Sequence, residues 1–270
     1  MSETQAAAAS DEGDAARTDA RSAAAEQAPG RQAPGGQAAG GQAPETAFRD
    51  RLAVALDVDD LVEAQRIVRA VSPWFGVAKV GLEMFTACGP DGVTRMLELG
   101  MQVFCDLKLH DIPTTVGKAA RVAGSLGASY LTLHASGGVA MLRAGVEGLA
   151  EGARNAGLPE PVALGVTILT SDADAPAHIL AKRVQVAVEG GCRGLVCAAA
   201  DVRQAKQLAP RLVAVVPGIR PEGTASHDQA RVATPRAALD AGADVLVIGR
   251  AVTAAPDRAA AAEAIARSLL

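Results

Sequence analysis

Aromatic side chains are nearly missing from this chain, which has one Trp, one Tyr and four Phe in 270 residues. A core built without them must be aliphatic, and the abundant Ala, Val, Leu and Gly suit parallel strands buried on both faces. Cysteine is scarce too. The four present, Cys88, Cys105, Cys192 and Cys197, stand in apolar stretches and make no C-x-x-C pair, which argues against a zinc site or a disulfide framework and fits a reduced cytoplasm. No apolar run reaches the ~20 residues of a membrane span. The start lacks the basic-then-apolar order of a secretory signal. Positive charge is not in excess either: a formal net charge of −4 excludes a phosphate-backbone binder, whose affinity comes from many Lys and Arg. Neither nucleic acid nor membrane is expected as a partner, and any phosphate bound should belong to a small molecule.

Residues 1–46 contain no Leu, Ile, Val or Phe. Nothing there offsets the entropy of ordering the chain, so the expectation is a disordered, low-complexity Ala/Gly/Gln/Pro-rich tail. Gln27, Gln32, Gln37 and Gln42 recur every five residues within it, but no unit has an apolar face to stack as a solenoid would. Its seven acids against three arginines also differ from an organelle transit peptide.

From residue 47 to 270 the pattern changes to short apolar runs separated by amphipathic stretches, the alternation of βαβ units. Candidate strands are Leu52–Asp57, Val77–Gly81, Gln102–Leu107, Tyr130–His134, Val162–Leu169, Gly194–Ala198, Leu212–Pro217 and Asp244–Gly249. Candidate helices include Leu61–Val71, Gly92–Gly100, Val116–Gly127 and Pro235–Gly242. Eight strands with helices between them predict one α/β domain, a (β/α)8 TIM barrel, whose usual length of roughly 200–250 residues matches the body.

Chemistry in such a barrel collects at the carboxyl ends of the strands. Alternation puts Ala53, Ala55 and Asp57 on one face, Val77, Lys79 and Gly81 on one face, and Phe104, Asp106 and Lys108 on one face. If those faces point inward, Asp57, Lys79, Asp106 and Lys108 meet at the barrel mouth. Asp111 follows in the loop Leu109-His110-Asp111-Ile112-Pro113, where Pro113 restricts Ile112 to extended backbone. Structural ion pairs are the plain alternative for any one of these charges. A buried cluster of both signs from separate strands is a costly way to hold a barrel together, which favours catalysis.

A second group is Val216-Pro217-Gly218-Ile219-Arg220 after strand seven and Ile248-Gly249-Arg250 after strand eight, where barrels commonly cradle phosphate. Gly249 would let the backbone approach an anion, and Arg220 and Arg250 would supply forked hydrogen bonds. His134, ending strand four on the face of Thr132, reads as a structural residue beneath the site. His110, His178 and His227 have no ligand spacing, so no metal is expected.

The run Asp106-Leu107-Lys108-Leu109-His110-Asp111-Ile112-Pro113-Thr114-Thr115 resembles the D-x-K-x-x-D-I-P-x-T signature of the orotidine 5'-monophosphate decarboxylase family. The likeness extends from about Arg51 to Leu269 and takes in Ala-Leu-Asp57, Lys79-Val-Gly, Leu-Thr170-Ser, Pro-Gly-Ile-Arg220-Pro, His-Asp-Gln229 and Ile-Gly249-Arg250. It implies a cofactor-free carboxy-lyase that converts orotidine 5'-monophosphate to UMP and CO2 in pyrimidine synthesis. It implies Lys108 as proton donor, with Lys79, Asp106 and Asp111 completing the charged network. It implies that Asp57 and Lys79 hold the ribose, that Thr170 touches the base region, and that Arg220, Gln229, Gly249 and Arg250 hold the phosphate or close over it. A cytoplasmic homodimer with shared sites is implied as well, Asp111 and Thr115 reaching into the partner's site. Related barrels that use Mg2+ carry an acidic metal ligand where this chain has Lys79.

Overall fold

The computed structural model describes residues 47–172, 175–221 and 232–270. Eight parallel strands close into a barrel in chain order: β1 (Leu52–Leu56), β2 (Val77–Gly81), β3 (Gln102–Leu109), β4 (Tyr130–His134), β5 (Val162–Val166), β6 (Gly194–Val196), β7 (Val213–Val216) and β8 (Val245–Ile248). Closure is direct, with Leu52 of β1 opposite Leu246 of β8 and Val54 opposite Ile248. The helices are α1 (Leu61–Val71), α2 (Leu82–Cys88), α3 (Pro90–Glu98), α4 (Pro113–Ser125), α5 (Gly138–Asn155), α6 (Ala177–Glu189), α7 (Ala199–Leu208), α8 (Pro235–Asp240), α9 (Arg250–Thr253) and α10 (Arg258–Arg267). None of them is long and apolar enough to cross a membrane. The expected (β/α)8 barrel is the fold.

Each strand alternates between two apolar layers. Ala53, Ala55, Val77, Phe104, Val166 and Val247 pack inside the barrel. Their neighbours Val54, Leu56, Val80, Cys105, Leu131 and Ile248 point outward under the helices. The outer layer explains α1: Ala64, Ile67, Val68 and Val71 lie on its buried side at helical spacing. Asp60 starts that helix, its carboxylate accepting the N–H groups of Val62 at 2.6 Å and Glu63 at 3.1 Å.

The packing of α4 on α5 is closer than side chains would permit. A β-carbon on Gly148 would strike the carbonyl oxygen of Gly117, one on Gly152 that of Arg121, and one on Gly124 that of Leu149. The two backbones therefore touch through glycine.

Strand and helix limits depart from the sequence expectation where polar groups take over the ladder. β5 ends at Val166 rather than Leu169, with the Thr167 N–H making a last main-chain bond to the Val196 carbonyl at 3.1 Å. The Thr167 hydroxyl donates to the Val196 carbonyl at 3.0 Å, and the Thr167 carbonyl receives the Arg183 guanidinium. β3 runs on to Leu109, two residues past its expected end, through an irregularity against β4: Cys105 faces Leu131 but Leu109 faces Leu133. Helix α2, begun directly at the end of β2, was not marked by the sequence pattern.

Candidate active site

At the carboxyl ends of the strands lies a cavity of about 460 Å³. One wall is charged. Lys79, almost fully buried, puts its ammonium 3.0 Å from Asp57 Oδ1 and 3.7 Å from Asp106 Oδ2. Lys108 Nζ lies 2.8 Å from Asp106 Oδ1, so the carboxylate of Asp106 bridges two ammonium groups. The side chain of Asp106 is 13% exposed and that of Asp57 62% exposed, so the Asp106 pairs are the less screened. Gly81 leaves room for this group: a β-carbon there would come within 3.0 Å of Lys79 Nζ.

Lys108 has φ +48°, in the left-handed region, as no other non-glycine among the described residues does. In the slipped stretch of β3, residues 106–108 face only Thr132 of β4. The Lys108 N–H donates to Thr132 Oγ1 at 2.8 Å, and the Thr132 hydroxyl donates to Asp106 Oδ1 at 3.1 Å. Behind the wall, burial and then the charge of Asp106 push the Cys105 thiol up to about 12, which leaves it an un-ionised apolar filler.

A second part of the lining comes from the segments after β7 and β8. Pro217, Gly218, Ile219 and Arg220 follow β7, and Gly249, Arg250 and Ala251 follow β8, all lining the cavity. Gly218 has φ +78°, which only glycine adopts without strain. Gly249 does not need glycine for that reason, since its φ is −108°. A β-carbon there would sit at ordinary contact distance, 3.6 Å, from Ala55 Cβ. The ends of the loop after β7 are tied together, Arg220 N–H donating to the Ala233 carbonyl at 2.9 Å and Ala233 N–H to that of Gly218 at 3.2 Å. Thr170 reaches the cavity from the segment after β5.

Of the sequence candidates, Asp57, Lys79, Asp106, Lys108, Thr170, Arg220, Gly249 and Arg250 are brought to this cavity. Asp111 and Thr115 are exposed and stand apart from its lining; Asp111 Oδ1 accepts the Ile112 N–H at 2.6 Å. Gln229, with Glu222 and Thr224–His227, lies outside the described residues. His134 lies beneath Lys108 with its ring 5.5 Å from that of His110. Burial, reinforced by His110, Lys108 and Arg183 and opposed by Asp106, lowers its pKa. Its Nδ1 is buried without a hydrogen-bond partner among the described residues.

A sequence profile described as the orotidine 5'-phosphate decarboxylase / HUMPS family matches residues 50–265. The chain belongs to that family. An orotidine 5'-phosphate decarboxylase of Anaeromyxobacter dehalogenans is 46% identical over 82% of this chain and 98% of its own length. One of Moorella thermoacetica is 44% identical over 82% and 92%. The crystal structure of orotidine 5'-phosphate decarboxylase from Lactobacillus acidophilus has a TM-score of 0.71 at 33% identity, covering 82% of this chain and 99% of that one.

Within this decarboxylase family barrel, sequence reasoning missed Thr132 as part of the charged wall and Val166, Ile168 and Val196 as apolar lining of the cavity. Strands β5 and β6 carry no charge that would have drawn attention to their inward faces. The part played by Thr132 depends on the register slip between β3 and β4, which leaves no local sequence signal.

Proposed function

We propose that this chain decarboxylates orotidine 5'-phosphate to UMP, with Lys108 as the proton donor. The observation that carries the reading is the Lys79–Asp106–Lys108 cluster lining one cavity together with Arg220, Gly249 and Arg250. The cavity is of a size usual for small-molecule sites, roughly 300–1,000 Å³. Its two walls match a ligand with a reactive ring at one end and a phosphate at the other.

Breaking the C6–carboxylate bond leaves the electron pair on C6, in the ring plane, where the π system cannot absorb it; CO2 departs and the Lys108 ammonium delivers its proton to C6. An ammonium ~4 Å from that carbanion is worth about 4 kcal/mol at an effective dielectric near 20, roughly a thousandfold in rate. The remainder must come from charges already in place before substrate arrives, from phosphate-binding energy that excludes water, and from repulsion between Asp106 and the departing carboxylate. Asp57 and Lys79 hold the ribose hydroxyls, Thr170 contacts the base, and Gln229 joins Arg220, Gly249 and Arg250 at the phosphate.

Metal-assisted chemistry is the competing reading, since the family description also spans HUMPS members. Lys79 speaks against it. Its ammonium lies between Asp57 and Asp106, the place where a divalent cation would need those two carboxylates for itself. Purified protein mixed with orotidine 5'-phosphate and a chelator should lose the orotate ultraviolet absorbance at full rate. A requirement for Mg2+ would overturn the assignment.

Exposed Asp111 and Thr115, on either side of an Ile112 that is 66% exposed, support an isologous homodimer in which this segment enters the partner's site. Refolding an equal mixture of Lys108→Ala and Asp111→Ala chains should then restore about a quarter of wild-type activity, because half the dimers are hybrids with one intact site. Activity no higher than the mean of the two variants, with hybrids verified by mass spectrometry, would place Asp111 in its own subunit's site instead.

A further inference from the structure

Thr132 is buried completely at a level of the barrel where its neighbours on β4 are apolar. Its hydroxyl stands among three groups of β3: the Lys108 N–H, Asp106 Oδ1 and, at the longer distance of 3.5 Å, the Cys105 carbonyl. As acceptor it takes the main-chain N–H of Lys108 at 2.8 Å, and as donor it gives its proton to Asp106 Oδ1 at 3.1 Å. Asp106 Oδ1 also receives Lys108 Nζ at 2.8 Å. The hydrogen bonds thus form a ring: main chain of Lys108, hydroxyl of Thr132, carboxylate of Asp106, ammonium of Lys108.

Three features give this ring a purpose. Lys108 is held at φ +48°, a conformation that is unfavourable for an L-residue and persists only when its surroundings impose it. The slip of β3 against β4, with Cys105 opposite Leu131 and Leu109 opposite Leu133, leaves Lys108 bonded to a side chain of β4. A carboxylate oxygen shared by an ammonium and a hydroxyl has its lone pairs fixed in direction, which limits where the ammonium can stand.

We propose that Thr132 is a positioning residue that sets both the backbone twist and the ammonium position of Lys108 and so tunes proton delivery without touching substrate. The inference rests on the reading of Lys108 as proton donor given above. It predicts a defect confined to the chemical step, because the phosphate and ribose contacts lie on other elements of the cavity.

The test uses the full-length chain and four proteins: wild type, Thr132→Val, Thr132→Ser and Lys108→Ala. Valine keeps the shape of threonine and removes the hydroxyl, leaving a buried N–H and a carboxylate each short of a partner. Thr132→Val should lower kcat by about tenfold or more, with KM and UMP affinity close to wild type. Thr132→Ser restores the hydroxyl and should recover most of that loss. Unchanged kcat in Thr132→Val, or equal impairment of the Val and Ser variants, would overturn the proposal. So would a fall in UMP affinity in step with kcat, the mark of a general packing role. Lys108→Ala separates the two levels. Should it stay active, the proton-donor assignment has failed and the role of Thr132 falls with it; should it be inactive while Thr132→Val is normal, only the positioning role has failed.

Discussion

The two walls of the cavity are made in opposite ways. The wall from β1, β2 and β3 consists of side chains ion-paired to one another, Lys79 with Asp57 and Asp106, Lys108 with Asp106, all of them on strands except Asp57, which stands just past the end of β1. The wall after β7 and β8 is built from loop residues, Arg220 and Arg250 among them. Charges on strands cannot shift far, since every neighbour in the sheet fixes their Cα positions. Loops can adapt. A reaction that creates charge at one atom profits from the first kind of wall, because fixed dipoles need no reorganisation when the charge appears. Capture of a group that does not react is served by the second.

The contrast predicts where each variant will hurt. The largest effect belongs to Lys108→Ala, which should cut kcat by about a thousandfold or more while UMP still binds. Retention of over about a tenth of wild-type kcat, a loss under ~1.4 kcal/mol, would remove Lys108 from its assigned role. Arg250→Ala should cost less and cost it elsewhere: about 1.5–3 kcal/mol, chiefly in KM, as for one charge-assisted hydrogen bond. Turnover of orotidine lacking its phosphate should not change in that variant, and equal damage to both substrates would erase the distinction between the walls.

The smallest effect tests how far the positive field of the charged wall extends below the surface. His134 has its pKa lowered from 6.5 by burial first and then by His110, Lys108 and Arg183, against the pull of Asp106. The unfolded chain therefore takes up a proton at this site before the folded one does. The stability tied to the neutral ring is complete above the unfolded pKa and is lost as pH falls through the lower, folded value. Replacing His134 with Gln should narrow the difference in Tm between roughly pH 7.5 and pH 5.5. Melting curves that keep the wild-type pH dependence would show that some other group sets the acid sensitivity.

Much of the barrel was readable because its signals are local. The amphipathic run Leu61–Val71 marks α1, which is found at those bounds. Alternation within single strands leads from Ala53 and Ala55 to Asp57 and from Val77 to Lys79, and the cavity receives both charges. Ile112, placed before Pro113, is extended at φ −59° and ψ 151° as that pairing requires. The same alternation brought Lys108 to the right place for an incomplete reason. Between Cys105 and Leu109 the chain gains two residues on its neighbour, an even number, so inward and outward faces resume unchanged while Lys108 turns to positive φ. Register between strands is a non-local property, and the short run of α2 after Gly81 has too few turns to show a period. The expectation of a disordered tail over 1–46 and the assignment of Gln229 fall outside the described residues.

The glycine contact between α4 and α5 restrains how this flank can vary over generations. A methyl group at Gly124, Gly148 or Gly152 would meet main-chain atoms of the facing helix, which have no alternative rotamer to adopt. Neutral drift is closed at these three sites, while solvent-facing positions of the same helices can change freely. Helix α4 begins at Pro113, two residues after Asp111, so a shift of α4 against α5 would carry that carboxylate with it. Protein engineers wishing to move it would have to shift that helix, because redesigning the loop alone leaves its anchor where it was.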